Sequence, residues 1–312
     1  MNKRQKIVQK TLLKSEKQVI EELKITYQNA LNSINLIIAQ LLGRTDMENL
    51  QSIIYQVDYQ KSLKKQIKAF LDILETENFD TISKYLEASY KESWVGTLYD
   101  LQGQGVPLFM PINQEQVINA IVTNSKLSEG LYKRLGVDVN ELKKNIQAEL
   151  SRGISQAMSY QEIARNIRNI SNVSYNNTLR IAKTEGHRVQ QESAYNCQVS
   201  AKKKGAKIMK QWDSTLDAKT RPTHQEMDGQ IVEVDKPFTS PDGNTAMYPG
   251  DFGVASEDVN CRCCILQRAK WNLSDGEFTK MNGETNQLQH FESLEDYEKF
   301  KSEFWKWESE NK

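Results

Sequence analysis

The chain has 312 residues, and its 41 lysines and arginines are matched by 41 aspartates and glutamates. That length allows one large domain or two ordinary ones with a buried core. Zero net charge excludes a global electrostatic argument for a nucleic-acid or membrane partner. No stretch approaches the roughly 18 apolar residues of a membrane span. The basic N-terminus lacks the apolar run and cleavage site of a signal peptide.

Local charge is less even. Lys3, Arg4, Lys6, Lys10, Lys14 and Lys17 crowd the start of the chain, and Lys202, Lys203, Lys204, Lys207 and Lys210 form a second cluster. Each reads either as a solvated helix face or as a phosphate-contacting patch; the second cluster supplies the DNA-contact candidates.

The first elements are helical. Ile20, Leu23, Tyr27, Ala30, Ile34, Ile37 and Leu41 alternate spacings of 3 and 4, with Leu13 a heptad earlier. This is an a/d stripe that must pack on another helix, in a hairpin or between chains. Gly43 and Arg44–Asp46 read as its stop. Leu63, Ile67, Phe70 and Leu74 continue the helical spacing. Residues 94–113 hold Gly96, Gly103, Gly105, Pro107 and Pro111 and read as an irregular connector, either a plain loop or a segment lying in an intersubunit groove.

Helical pattern resumes with Leu142, Ile146, Leu150 and Ile154, four apart. Ser159 and Glu162 have capping-box spacing before Ile163, Ile167 and Ile170. A further helix is expected from about Tyr175 to Lys204, closed by Gly205.

From about residue 206 the texture changes. Four of the six prolines fall at Pro222, Pro237, Pro241 and Pro249. Ile208–Trp212 and Gln230–Val234 alternate like short strands, and Ser240-Pro-Asp-Gly243 is a turn. A small module over 206–270 follows, then a mixed-charge tail whose Tyr297, Phe300, Phe304, Trp305 and Trp307 fit a short amphipathic helix. The expected fold class is α+β: a mostly helical N-terminal two-thirds and a small C-terminal α+β module. The expected divisions are a helical arm over 1–124, a helical region over 125–205, the module over 206–270 and a tail over 271–312.

The module carries the chemistry. Of four cysteines, Cys197, Cys261, Cys263 and Cys264, three are crowded together. Such crowding suits a reduced compartment better than a disulfide framework, so the chain reads as made in a cytoplasm. Three readings stay open. His224 with two of the cysteines (Cys261 and Cys263 foremost) and Asp217 or Asp213 as fourth ligand would suit a structural zinc ion. His224-Gln-Glu226 and Cys261-Arg-Cys-Cys264 fit a zinc deaminase, but Asn260 stands where that signature has proline, and the expected strand–helix core does not fit. Finally, the thiols can be apolar core groups beside a hydrogen-bond network of Asp213, Thr220, Arg221, Asp228 and Asn260. No nucleophile–base pair is apparent, so no catalytic residue is assigned.

The order of these residues resembles the phage head morphogenesis family, the Mu F-like minor head proteins of tailed bacteriophages. The matching pieces are Arg180-Ile-Ala-Lys-Thr-Glu185 with Arg188 and Ala194, Trp212-Asp-Ser-Thr-Leu-Asp217, Thr220-Arg221, His224, Asp228-Gly229, Phe238, Pro249-Gly250 and Asn260-Cys-Arg-Cys263. Gly153-Ile-Ser and Ser159-Tyr-Gln-Glu-Ile-Ala164 also fit, with Met158 where the family has glycine. The resemblance covers about residues 125–268.

It implies a minor capsid protein, not an enzyme, near the portal vertex of the virion. It would act in procapsid assembly and in DNA packaging or ejection. The implied partners are the portal protein, scaffold or major capsid protein, and phage DNA, with no membrane; residues 1–124 would be the portal-contacting arm. Some relatives carry an added C-terminal toxin or enzyme domain, and the roughly 40 residues after the module are too few for one. The rival reading is a zinc-dependent nucleic-acid enzyme, nuclease- or deaminase-like, built on His224 and Cys261–Cys264.

Overall fold

The computed structural model describes residues 1–42, 53–122, 131–156, 158, 160–272 and 294–311. It is mostly helical, with its strands confined to the C-terminal part. Long helices come first: α1 (Lys3–Leu42), α2 (Ile53–Gly103), the short α3 (Gln114–Val122), α4 (Leu131–Ser155) and α5 (Tyr160–Lys203). The module follows with β1 (Ile208–Asp213), α6 (Pro222–Glu226), β2 (Ile231–Glu233), β3 (Phe238–Thr239), β4 (Thr245–Ala246), α7 (Ala255–Asp258) and β5 (Cys264–Ala269); α8 (Leu294–Glu310) closes the described chain. No helix among the described residues is long and apolar enough to cross a membrane.

The chain divides into two compact units that cut across chain order. One holds Met1–Glu16, Tyr85–Ser128 and Lys183–Lys312; the other holds Lys17–Lys84 and Glu129–Ala182.

The second unit is a helical bundle. From the α1 stripe, Tyr27, Ile34 and Ile37 are buried against Ile67, Leu71 and Leu74 of α2, Leu142 and Ile146 of α4, and Ile163 and Ile167 of α5. Its partners are therefore helices of the same chain. A polar knot sits in the bundle: the Tyr27 hydroxyl is 2.7 Å from Thr178 Oγ1 and 3.0 Å from Ser174 Oγ, and Ser174 donates to Asp138 at 2.6 Å. The stop at Gly43–Asp46, Leu41 as a core residue and the Ser159 cap lie outside the described residues.

In the other unit the structure corrects the expected connector at 94–113. Residues 94–103 continue α2, because Trp94, Val95, Leu98, Tyr99 and Leu101 are all buried at helical spacing. Gly96 fits this helix because a β-carbon there would run into Val8 of α1. Only the stretch after Gly103 is irregular, and it packs on its own chain: Trp94 Nε1 donates to the Met110 carbonyl, and the Ile112 amide to Glu308.

The expected helices on either side of Tyr175 are one continuous α5. It ends at Gly205, whose φ of +90° lets the backbone turn back, with the Ala206 amide bonded to the Ala201 carbonyl. β1 is the centre of an antiparallel sheet ordered β2-β1-β5, with Trp212 opposite Ile265 and Asp213 opposite Cys264. β3 and β4 flank the expected turn, where the Gly243 amide bonds the Ser240 carbonyl. As expected, α8 is amphipathic: Tyr297, Phe300 and Phe304 are buried and Trp305 is exposed.

Candidate functional site

Trp212 organises the module. Its ring, fully buried at the end of β1, meets Phe238 edge-on at 5.3 Å and His224 edge-on at 5.5 Å. Its Nε1 donates to Ser214 Oγ at 3.0 Å, and Ser214 Oγ donates to the His224 carbonyl at 2.5 Å. Asp228 accepts the Ser214 amide at 2.7 Å. This pins α6, the helix carrying His224, against the first strand.

The other side of His224 faces two thiols. Its Nδ1 lies 3.3 Å from Cys263 Sγ and 3.7 Å from Cys261 Sγ. Its Nε2 lies 2.8 Å from Glu257 Oε2, and Thr223 Oγ1 donates to the same oxygen at 3.2 Å. His224, Glu257, Cys261 and Cys263 are at most 5% exposed. The donor atoms of His224, Cys261 and Cys263 all lie within 4.8 Å of one another.

Charge is shared tightly here. Cys261 donates toward Cys263, which pushes the Cys261 thiol up, with burial adding to the effect, and draws the Cys263 thiol down; His224 also lowers Cys263. For His224 burial opposes the imidazolium, and Cys263 and Glu257 outweigh it, so the ring is shifted up. Nearby, burial pushes the His187 imidazole down to about 4, and its Nε2 has no hydrogen-bond partner among the described residues. A cavity of about 610 Å³ has Gln9, His187, Asn260 and Cys261 in its wall.

The loops are fixed from several sides. Asn260 adopts φ +57°, a left-handed conformation that asparagine tolerates, immediately before Cys261. The Asn260 amide points to Thr184 of α5, and Gln191 Oε1 accepts the Ile265 amide at 2.8 Å. Gly250 has φ +92° and lies so close to α5 that a β-carbon would sit 3.4 Å from Arg188 Cα. Arg188 is buried, with Glu185 at 2.9 Å and Glu192 at 2.6 Å; burial alone would lower its pKa, and the two carboxylates more than restore it.

The remaining predicted residues are placed differently from one another. Asp217 is at the surface with both oxygens on Arg262, at 2.7 and 2.5 Å, so its carboxylate serves the loop and not the thiol cluster. Thr220 bonds the Thr215 carbonyl and Asp217, and Arg221 reaches the Val259 carbonyl. Asp213 sits half-buried at the strand end, its carboxyl raised by burial. Cys264 is apart from His224, with Gln9 Nε2 at 3.8 Å from its sulfur.

The lysine cluster is also split. Lys203, Lys204 and Lys207 are exposed, and Lys202 pairs with Asp235 at 2.9 Å. Lys210 is buried, donating to the Met247 carbonyl at 2.7 Å between the rings of Tyr195 and Phe238, and is thereby removed from any exposed patch. Sequence reasoning missed Glu257 and His187, neither of which belongs to a recognisable spacing.

Residues 144–266, which contain this arrangement, match the family described as Phage Mu protein F like protein. Over that segment the chain is similar to the phage head morphogenesis family. It is 29% identical over 203 residues to the Minor head protein GP7 of Bacillus phage SPP1, covering 65% of this chain and 62% of that protein. It is 36% identical over 262 residues to the NAD(+)--arginine ADP-ribosyltransferase EFV of Enterococcus faecalis, covering 80% of this chain and 52% of that protein. The chain thus spans little more than half the length of these relatives. No solved structure matches.

Proposed function

We propose that this chain is a minor head protein that acts without turnover in assembling a tailed-phage head. Its place would be in the virion at the portal vertex, with the portal protein as its main partner and scaffold or major capsid protein as further contacts. A role in DNA packaging or ejection accompanies assembly in this reading. The observation that carries it is the family segment at 144–266 together with the likeness to a phage minor head protein.

The site chemistry is consistent with a structural use of the module. His224, Cys261 and Cys263 face one another inside the fold, not an open cleft. Cys263, His224 and Glu257 do line up as a nucleophile, a base and an orienting carboxylate, which gives the enzyme reading a specific observation. Against it, Cys263 and His224 are buried and neither is in the wall of the neighbouring cavity, which Cys261 lines. The activity in the name of the Enterococcus relative belongs to that protein.

The test is co-expression with the portal protein of the same phage, followed by affinity capture and particle analysis. Capture of the portal protein, and aberrant or non-infectious heads when the gene is deleted, are expected. Normal heads, retained genomes and full infectivity without the gene would overturn the proposal.

A further inference from the structure

We propose that His224, Cys261 and Cys263 bind one zinc-class divalent ion, which clips α6 to the loop entering β5. This goes beyond the head-assembly role and does not depend on it.

Geometry is the first argument. Zinc bonds of about 2.3 Å to sulfur and about 2.0–2.1 Å to nitrogen, at tetrahedral angles, put ligand atoms about 3.5–3.8 Å apart. The sulfur–nitrogen separations of 3.3 and 3.7 Å fall within a few tenths of an ångström of that. Two sulfurs converge on a single ring nitrogen, where a nucleophile–base pair needs only one.

The surroundings give a second, independent argument. A zinc-bound imidazole characteristically gives its other N–H to a carboxylate, which fixes the ring and raises its basicity. Glu257 Oε2 stands 2.8 Å from Nε2, within ion-pair distance though without a hydrogen bond among the described residues, and Thr223 holds the same carboxylate oxygen. Phe252 lies alongside the His224 ring and Trp212 meets it edge-on, an apolar wall that keeps the local dielectric low. The cavity that reaches Cys261 offers an entry path.

The third argument is need. Strands of two to six residues supply few ladder hydrogen bonds, and metal binding contributes folding free energy in such small modules. Binding displaces the thiol protons and leaves His224 neutral, ligating through Nδ1. Two thiolates then balance the ion's charge. Among the described residues the donors of this group are His224, Cys261 and Cys263.

The experiment uses the full chain, expressed with zinc in the medium and purified under reducing conditions. Elemental analysis is expected to give one zinc per chain. Cobalt(II) uptake should give a thiolate-to-cobalt charge-transfer band and intense tetrahedral visible bands. Cys263→Ser and Cys261→Ser should lose the metal, while Cys264→Ser and Asp217→Asn should retain it. If a ligand variant does not fold, the wild type still decides: a chelator should strip the metal, lower the melting temperature and expose two thiols to alkylation. A folded, reduced wild type that takes up neither zinc nor cobalt would overturn the site. So would unchanged metal content in a folded Cys261→Ser, Cys263→Ser double variant.

Discussion

Glu257 Oε2 stands 2.8 Å from His224 Nε2, on the side of the ring away from the two thiols. A carboxylate from a different element, α7, thus stands within ion-pair distance of the imidazole and is placed to orient it. Removing that carboxylate frees the ring without removing a ligand. Glu257→Ala is expected to weaken metal binding by about 10–100-fold, with Glu257→Gln recovering part of the loss. Competition against a chelator of known affinity measures this. Equal affinity in all three proteins would refute the orienting role.

What was legible in the sequence follows from the range of the signals. The a/d stripe from Leu23 to Ile37, the Ile208 strand, the Ser240–Gly243 turn and the Gly205 stop are local patterns that the structure has among the described residues, whereas Leu13, a heptad earlier, is exposed. His224, Cys261 and Cys263 stood out because of residue type. Glu257 did not, because an acid in a four-residue helix carries no spacing signal. Asp217 and Asp213 were weighed as ligands on proximity in sequence, which cannot reveal that Arg262 takes the Asp217 carboxylate. Glycine in a sequence marks a breaker, so residues 94–113 read as a connector, whereas in the fold Gly96 lets two helices approach.

Two helical glycines should respond oppositely to alanine. At Gly186 a β-carbon would lie 2.5 Å from the rigid, buried ring of Tyr85. Overpacking costs about 1–3 kcal/mol, more than the helix-propensity gain of about 1 kcal/mol, so Gly186→Ala should destabilise. At Gly136 the nearest atom is the flexible end of Glu75 at 3.3 Å. Gly136→Ala should stabilise by about 0.5–1 kcal/mol. Urea unfolding of both variants provides the comparison.

Lys210 gives the module a pH dependence. Burial pulls its pKa down to about 7, against the pull of Asp251 and Asp235. Below pH 7 the amine is charged in both states and the folded state bears the desolvation cost. Between pH 7 and the unfolded value of about 10.4, only the unfolded chain holds the proton, so stability from this group rises with pH. Lys210→Met removes that rise. The stability of wild type relative to the variant should therefore increase from pH 6.5 to pH 9.5, and a difference that is flat or falls with pH would contradict the buried, neutral amine.

The exposed lysines make the DNA reading testable separately from the fold. Lys203, Lys204 and Lys207 face solvent, and Lys210 does not. If these three contact phosphates, log affinity for duplex DNA should fall with log salt at about −0.9 per contact, or roughly −2.7 in all. A Lys203→Glu, Lys204→Glu, Lys207→Glu variant should lose that binding while keeping its melting temperature, since none of the three is buried. Lys210→Met should leave the slope unchanged. Binding that survives the triple variant, or that ignores salt, would remove this cluster from the DNA-contacting surface and leave head assembly to protein contacts alone.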